Sequence, residues 1–322
     1  LGSRLSVVKS IVLGTGRSGL AVAGFLLDQG HTVMMSDRSS ESDVKASVQW
    51  PEFEALQQKF GEKLEWALGG HPPEILQGCD ELIISPGVPI HAPFIQEALR
   101  RGVKVTGEME LAFVRSPKPV IAVTGTNGKS TTTALIGHIM QVSGRDAEVG
   151  GNLGIPALEL YPLGEEGAYV LEMSSFQLEL TLSITFDVAV LLNVSTDHLD
   201  RYDGMDGYIA AKKLIFNRQT APRTAVVGVD DDHSRAVYEE LKAAAEAVVV
   251  PISGRGRVPG GIYMEDGVLF DGTEGEPQPV LDLRSVHALP GVHNWQNTAA
   301  AYAATKAAGV NPHAIMASIQ SY

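Results

Sequence analysis

The sequence predicts an α/β fold in two parts. A Rossmann-like parallel-sheet domain spans residues 1–115, and a P-loop-type α/β domain with a small antiparallel addition spans 116–322. Three observations carry this. Short β-branched apolar runs alternate with helical stretches, the pattern of parallel sheets with helical crossovers. Two strand-to-helix junctions are glycine-rich, at Gly14–Gly19 and Gly125–Gly128. Between them, Arg115-Ser-Pro-Lys-Pro119 carries two prolines that exclude helix, and the composition changes directly after it. A chain of 322 residues also exceeds the ~250–300 at which single cores stop growing.

In the first domain, Val7 to Leu13 reads as a strand, Arg17 to Gln29 as a helix ending at Gly30, and Thr32 to Met35 as a second strand closing at Asp37. Leu82 to Ile84 is a further strand, followed by the turn Ser85-Pro-Gly-Val-Pro89. Gly14-Thr-Gly-Arg-Ser-Gly19 matches G-x-G-x-x-G between strand and helix, with Asp37 near the spacing expected of a ribose contact. By itself this pattern suggests a nicotinamide dinucleotide. The physics says less: a diphosphate can sit on this helix N-terminus, or the glycines serve only tight strand–helix packing.

In the second domain the expected strands are 119–124, 168–172, 187–192, 224–228 and 247–251, and the expected helices 129–143, 205–220, 231–246 and 294–308. Residues 254–288, rich in Gly and Pro with short β-type runs, read as the antiparallel addition. Val120–Val123 leads into Thr124-Gly-Thr-Asn-Gly-Lys-Ser130, the layout of a phosphate-binding loop. Glycines let backbone N–H groups close around phosphate oxygens, Lys129 adds a point charge, and Ser130 can ligate Mg²⁺. The spacing departs from G-x-x-x-x-G-K-[ST], because Val123 stands where the first glycine belongs.

Three further stretches follow expected strands, where open α/β sheets hold ligands. Glu172 closes Tyr169-Val-Leu-Glu172, a position for a carboxylate on Mg²⁺, with Ser174 and Gln177 as hydrogen-bonding groups beyond it. His198 follows Val188–Leu192 beside Asp197, Asp200 and Arg201, and can ligate a metal or contact a phosphate. Lys212 and Lys213 are adjacent on a helix, so at most one can point into a site; on pattern alone both read as solvated. Asn294 and Asn297, one turn apart at a helix start, can read an adenine edge, although Asn294 could instead cap the helix.

Lys and Arg total 25 against 38 Asp and Glu, a net charge of −13 that argues against nucleic acid as a partner. The one cysteine, Cys79, excludes an internal disulfide framework and fits a reducing compartment. No apolar run approaches the ~18 residues of a membrane span, and the opening Leu1-Gly-Ser-Arg-Leu5 lacks the charged start and apolar run expected of a signal peptide. A cytoplasmic monomer is the expectation.

Together these residues resemble the Mur ligase family, ATP-dependent amide-forming ligases of peptidoglycan precursor synthesis. The resemblance rests on Thr124-Gly-Thr-Asn-Gly-Lys-Ser-Thr-Thr132, Gly151-Asn-Leu-Gly154, Asn193, Asp197-His-Leu-Asp200, Ala211-Lys212, His293-Asn294 and Asn297. Leu171–Glu179, Ser85-Pro-Gly-Val88 and Gly107-Glu-Met-Glu110 are similar to the D-glutamate-adding branch. The resemblance implies that the first domain binds the uridine diphosphate end of UDP-N-acetylmuramoyl-L-alanine through Gly14, Arg17, Ser18, Asp37 and Gly87. It places Asn152, Ser174, Gln177 and His198 on the substrate side. ATP would contact Gly125, Thr126, Asn127, Gly128, Lys129, Ser130, Thr131, Asn294 and Asn297, with Lys129, His198 and Lys212 as catalytic groups. Two Mg²⁺ ions are implied, held by Ser130, Glu172, His198 and a carbamylated Lys212, which overturns the solvated reading of that lysine. D-glutamate would be the second substrate. The family's C-terminal amino-acid-binding domain would begin near Tyr322, so the chain is expected to be incomplete for ligation. Rival readings are a nicotinamide oxidoreductase, a sibling ligase (another Mur ligase or a folylpolyglutamate synthetase) and a non-catalytic nucleotide-binding module.

Overall fold

The computed structural model describes residues 7–86, 88–114, 119–152, 154–164, 166–197, 202–286 and 288–322. Gly87, His198, Asp200 and Arg201, named above, lie outside the described residues. The chain splits into two compact units: Leu1–Arg115 with Pro156–Glu159 and Leu180–Leu182, and Ser116–Ile155 with Leu160–Glu179 and Ser183–Tyr322.

The first unit runs β1 (Lys9–Leu13), α1 (Arg17–Asp28), β2 (Thr32–Asp37), α2 (Glu41–Lys45), α3 (Trp50–Phe60), β3 (Leu64–Leu68), β4 (Glu81–Ile84), α4 (Pro93–Arg100), β5 (Lys104–Gly107) and α5 (Glu108–Val114). Among the described residues its strands pair in parallel in the order β3-β2-β1-β4-β5. Side chains alternate across a strand, so β1 feeds two cores. Val12 packs with Leu26, Met35 and Phe53 on one face, while Ile11 and Leu13 pack with Leu82, Ile84 and Ile95 on the other. Because β2 and β4 lie on opposite sides of β1, the strand order reverses there, and the Gly14–Gly19 turn leaves from that point.

The second unit runs β6 (Val120–Thr124), α6 (Lys129–Val142), β7 (Ala147–Gly151), β8 (Ala168–Glu172), α7 (Ser175–Glu179), β9 (Val188–Leu191), α8 (Gly204–Lys213), β10 (Thr224–Gly228), α9 (Asp232–Ala244) and β11 (Val248–Ser253). It continues through β12 (Ile262–Glu265), β13 (Val268–Asp271), β14 (Gln278–Asp282), α10 (Val292–Ala307) and α11 (Pro312–Gln320). Its sheet has the order β14-β13-β12-β11-β10-β9-β6-β8-β7. Fully buried β6 lies between β8 and β9, again at a reversal of strand order. Leu135, Ile136 and Ile139 of α6 share one core with Ala299–Ala304 of α10, whose small side chains let that helix lie close to its neighbours.

Three differences from the sequence reading have physical causes. β3, β5 and β7 were not foreseen, and all three are edge strands, which lack the continuous apolar run of strands flanked on both sides. Residues 254–288 are antiparallel in β12–β13–β14, yet β12 joins the main sheet by parallel pairing with β11. The helix expected over 205–220 ends at Lys213, and one 3₁₀ turn over Leu214–Phe216 follows. No helix among the described residues is long and apolar enough to cross a membrane.

Candidate functional site

The first unit's glycine turn is built for close packing. Gly14 has φ +102°, and a Cβ on Gly19 would strike the Gly14 carbonyl. Asp37 closes the turn: one carboxylate oxygen accepts Thr15 N–H at 2.8 Å and the Thr15 hydroxyl at 2.9 Å, and the other accepts Ser39 N–H at 2.8 Å. Burial pushes its carboxyl up, but these hydrogen bonds to the charged form prevail and hold it below the ordinary aspartate value. Asp37 is thus largely committed to shaping the turn.

Gly16 starts α1 with no side-chain cap, leaving N–H donors of the first turn available to an anion. Arg17 is exposed and reaches Glu159 at 3.7 Å. Ser18 hydrogen-bonds Glu108, whose carboxyl burial holds above the ordinary range. Gly14 and Asp37 line a cavity of about 190 Å³ with Arg38, His71, Val88 and Pro89. Arg38 and His71 had no motif to reveal them. Burial, with Arg38 adding to it, lowers the His71 pKa, and its Nδ1 lies 2.8 Å from Ser36 Oγ.

The second unit's loop leaves the C-terminal end of β6. Gly128 has φ +84° and begins α6 with no side-chain cap. The positive φ favours glycine, and a Cβ there would run into Asn297 Oδ1 and force that side chain to move. Lys129 folds its ammonium back on the loop, donating to the carbonyls of Gly125 and Thr126 at 3.0 Å each. Lys212, 2% exposed, donates to the same Gly125 carbonyl at 2.8 Å, with its Nζ 4.6 Å from the Tyr208 ring centre. Burial and the nearby Lys129 charge bring the Lys212 pKa down to about 7, against the opposing pull of Asp197. Lys213 instead pairs with Glu240 at 2.6 Å on the surface. Pattern alone left these two lysines equivalent and the family resemblance favoured Lys212; burial separates them.

Glu172, 2% exposed at the end of β8, accepts a hydrogen bond from Asn152 Nδ2 at 2.9 Å. Ser130 is exposed in the first turn of α6. Carboxylate and hydroxyl oxygens suit Mg²⁺, which draws its remaining ligands from water and phosphate. No group of three His, Cys, Asp or Glu side chains suited to a metal occurs among the described residues. Ser130 and Glu172 thus supply the donor types a phosphate-bound magnesium takes, whereas an ammonium at Lys212 does not ligate a metal. Ser174 and Gln177 bond each other: Ser174 N–H donates to Gln177 Oε1 at 3.0 Å, and Gln177 N–H donates to Ser174 Oγ at 3.2 Å. This reciprocal pair caps α7.

Beside the loop lies a cleft of about 720 Å³, lined among others by Asn127, Gly128, Thr131, Asn193, Gln296 and Asn297. Asn294 does not cap α10, whose N-cap residue is Gly291; it donates to the Pro290 carbonyl at 2.8 Å and accepts from Asn297 Nδ2 at 3.1 Å. Asp230, Asp231, Arg255 and His293 also line it and had not been singled out as cleft residues from sequence. The Asp230-Asp231 pair at a strand end was the one signal that could have found the first two.

Comparison with known proteins agrees with both halves. Residues 123–305 match the family model for the Mur ligase middle domain, and residues 8–107 match that for the Mur ligase MurD-like N-terminal domain. The UDP-N-acetylmuramoylalanine–D-glutamate ligase of Caulobacter sp. (strain K31) is 42% identical over 97% of this chain and 66% of its own length. That of Rhodospirillum rubrum is 42% identical over 97% of the chain and 64% of its own. The chain thus spans somewhat less than two thirds of these relatives. A solved UDP-N-acetylmuramate:L-alanyl-γ-D-glutamyl-meso-diaminopimelate ligase from Neisseria meningitides superposes with a TM-score of 0.65 at 17% identity, covering 98% of each chain. UDP-N-acetylmuramate–alanine ligase from Thermotoga maritima gives 0.54 at 20% identity, covering 98% of this chain and 68% of that one. At such identities the likeness is one of fold.

Proposed function

This chain belongs to the Mur ligase family, and we propose that it forms the UDP-substrate and ATP portion of a ligase adding D-glutamate to UDP-N-acetylmuramoyl-L-alanine in peptidoglycan precursor synthesis. The working location is the cytoplasm, as a monomer. The observation that carries the nucleotide reading is the convergence of Lys129 and Lys212 on the Gly125 carbonyl, beside an uncapped α6 N-terminus. The Lys129 ammonium and the uncapped helix N-terminus leave positive potential where phosphate oxygens would bind, with Lys212 seated beside them. The choice of D-glutamate over the amino acids of sibling ligases rests on the 42% identical relatives.

In the proposed division of labour, residues 1–115 bind the UDP end through Gly14, Arg17, Ser18, Asp37 and Gly87, and residues 116–322 bind ATP. The geometry supports direct contact from Arg17 and the Gly14–Ser18 backbone, with Asp37 acting by holding the turn. Asn152, Ser174, Gln177 and His198 would face the muramoyl side. Asn294 and Asn297 would face adenine, and Thr126, Asn127 and Thr131 would line the phosphates.

The substrate carboxylate oxygen attacks the γ-phosphorus of ATP, the bond to the bridging oxygen breaks, and ADP leaves. The D-glutamate amine then attacks the acyl carbon, loses a proton, and expels inorganic phosphate. Lys129 holds the β- and γ-phosphates in line and offsets charge as it shifts to the leaving oxygen. Bound magnesium would screen the phosphate charge from Ser130 and Glu172, and a second ion would require the carbamate of Lys212 with His198. Carbamylation replaces a cation with an anionic oxygen donor, in keeping with the buried seat of Lys212 beside the loop.

Calorimetric titration with UDP-N-acetylmuramoyl-L-alanine, UDP-N-acetylmuramate and NADH tests this reading. The L-alanyl compound is expected to bind with the highest affinity and NADH not at all. Saturable NADH binding with no response to either UDP compound would overturn it.

A further inference from the structure

We propose that Asn193, Gln296 and Asp230 form a hydrogen-bonded relay that positions the phosphate loop for nucleotide, its bond directions fixed by the Asn127 peptide at one end and the Asp230 carboxylate at the other. The proposal rests on the reading of residues 124–131 as the nucleotide site.

The chain of bonds begins at Asn127, the exposed middle residue of the loop. Its N–H donates to Asn193 Oδ1 at 2.9 Å, and its carbonyl accepts from Asn193 Nδ2 at 3.1 Å. A peptide N–H can only donate and a carbonyl can only accept, so the orientation of the Asn193 amide is fixed. Its second Nδ2 proton goes to Gln296 Oε1 at 3.1 Å, which turns Gln296 Nε2 toward Asp230 Oδ2 at 3.0 Å. Asp230 ends the relay as an acceptor, taking Gly254 N–H at 2.8 Å and the Ser253 hydroxyl as well. An ionised carboxylate offers no proton, so no member can flip without setting donor against donor or acceptor against acceptor. The Asn193 backbone adds a second hold, its carbonyl accepting Thr126 N–H at 2.9 Å.

Three segments distant in sequence are thus tied to one loop residue: the turn after β9 supplies Asn193, α10 supplies Gln296, and the turn after β10 supplies Asp230. The glycine-rich loop would otherwise sample many backbone states, and binding would have to order it. None of the three side chains needs to touch the reacting atoms; each acts through the Asn127 peptide.

The test uses Gln296→Met, which keeps volume and removes both amide bonds, and Gln296→Glu, which keeps shape and turns an acceptor toward Asp230. Amide exchange in the peptide covering Thr124–Lys129 is read alongside titration with fluorescent mant-ADP and Mg²⁺. Gln296→Met is expected to speed exchange at Thr126 and Asn127 about ten-fold and to weaken nucleotide binding by about the same factor, with Gln296→Glu worse on both. Exchange across Thr224–Gly228 in β10 should stay unchanged. Unaltered loop exchange in both variants overturns the relay, as does equal acceleration through β10, which marks global destabilisation. A parent chain that binds no mant-ADP overturns the site reading and the positioning role with it. That failure is told apart from failure of the relay because loop exchange would still respond to Gln296→Met.

Discussion

At Gly128 two constraints coincide: a positive φ and the carboxamide of Asn297 pressed against the position of a Cβ. Gly128→Ala is therefore expected to lower stability by about 2 kcal/mol or more, of which the left-handed backbone accounts for roughly 1–2 kcal/mol. In an Asn297→Ala background the same substitution should cost only the backbone part. Chemical denaturation of the four proteins in that cycle checks it, and equal costs in both backgrounds would show that Asn297 is no obstacle. Lys129→Ala should abolish measurable Mg-ADP binding while leaving the fold intact, read by titration and circular dichroism; undiminished binding would remove Lys129 from the site. Residues at this scale were legible where a local spacing forces a local geometry. The Gly-Lys-Ser junction is such a case, because strand, turn and helix follow directly in the chain. Gln296 and Asp230 were not, since their partners lie 103 and 66 residues away in sequence. Ser174 and Gln177 were picked out as hydrogen-bonding groups beyond Glu172 and placed substrate-side by the resemblance, and their three-residue spacing also makes a capping box.

The antiparallel addition is fastened to α10 by one charged cluster. Lys306 donates to Asp271 at 2.7 Å and to Thr273 at 3.0 Å, and the Tyr302 hydroxyl donates to Asp271 at 3.2 Å. Burial disfavours the charge on both Asp271 and Lys306, yet their attraction together with the hydrogen bonds of Thr273 to Asp271 and of Lys306 to Glu274 outweighs it, lowering the Asp271 pKa and raising that of Lys306. A depressed carboxyl contributes stability above its unfolded pKa and loses it as pH falls through the folded value. A raised amine contributes below its unfolded pKa and loses it as pH rises through the folded value. The clasp is thus fully present from about pH 5 to 9 and weakens outside that window. Lys306→Met should cost about 1–2 kcal/mol within it and progressively less toward pH 3. Urea denaturation at several pH values measures this, and a cost that stays constant with pH would refute the ionic origin. Element boundaries followed burial in the same way. Strands flanked on both sides read as unbroken apolar runs, whereas the edge strands β3, β5 and β7 have one side open and carry polar residues such as Glu65 and Glu148.

On the scale of the whole molecule, the chain repeats one device: a strand at a reversal of sheet order, a glycine turn, and a helix that starts without a side-chain cap. A net charge of −13 gives no general attraction for anions, so affinity at each turn must come from local donors. That locality makes a prediction about where each ligand protects the backbone. UDP alone should slow amide exchange around Gly14–Ser18 and Ser36–Arg38, and Mg-ADP alone should slow it across Gly125–Thr131. Each should leave the other's footprint unchanged if the two turns bind independently. Hydrogen-exchange mass spectrometry with each nucleotide separately, then with both, distinguishes the outcomes. Protection of Gly125–Thr131 by UDP alone would mean that the two glycine turns do not divide the ligands as proposed. Protection of Gly14–Ser18 by NADH would return that turn to the dinucleotide role its spacing first suggested. The spacing cannot make that choice, because both ligands present a diphosphate to the same helix N-terminus. It falls instead to the groups beyond the glycines, where Arg38 and His71 line the cavity that the second half of the ligand would enter.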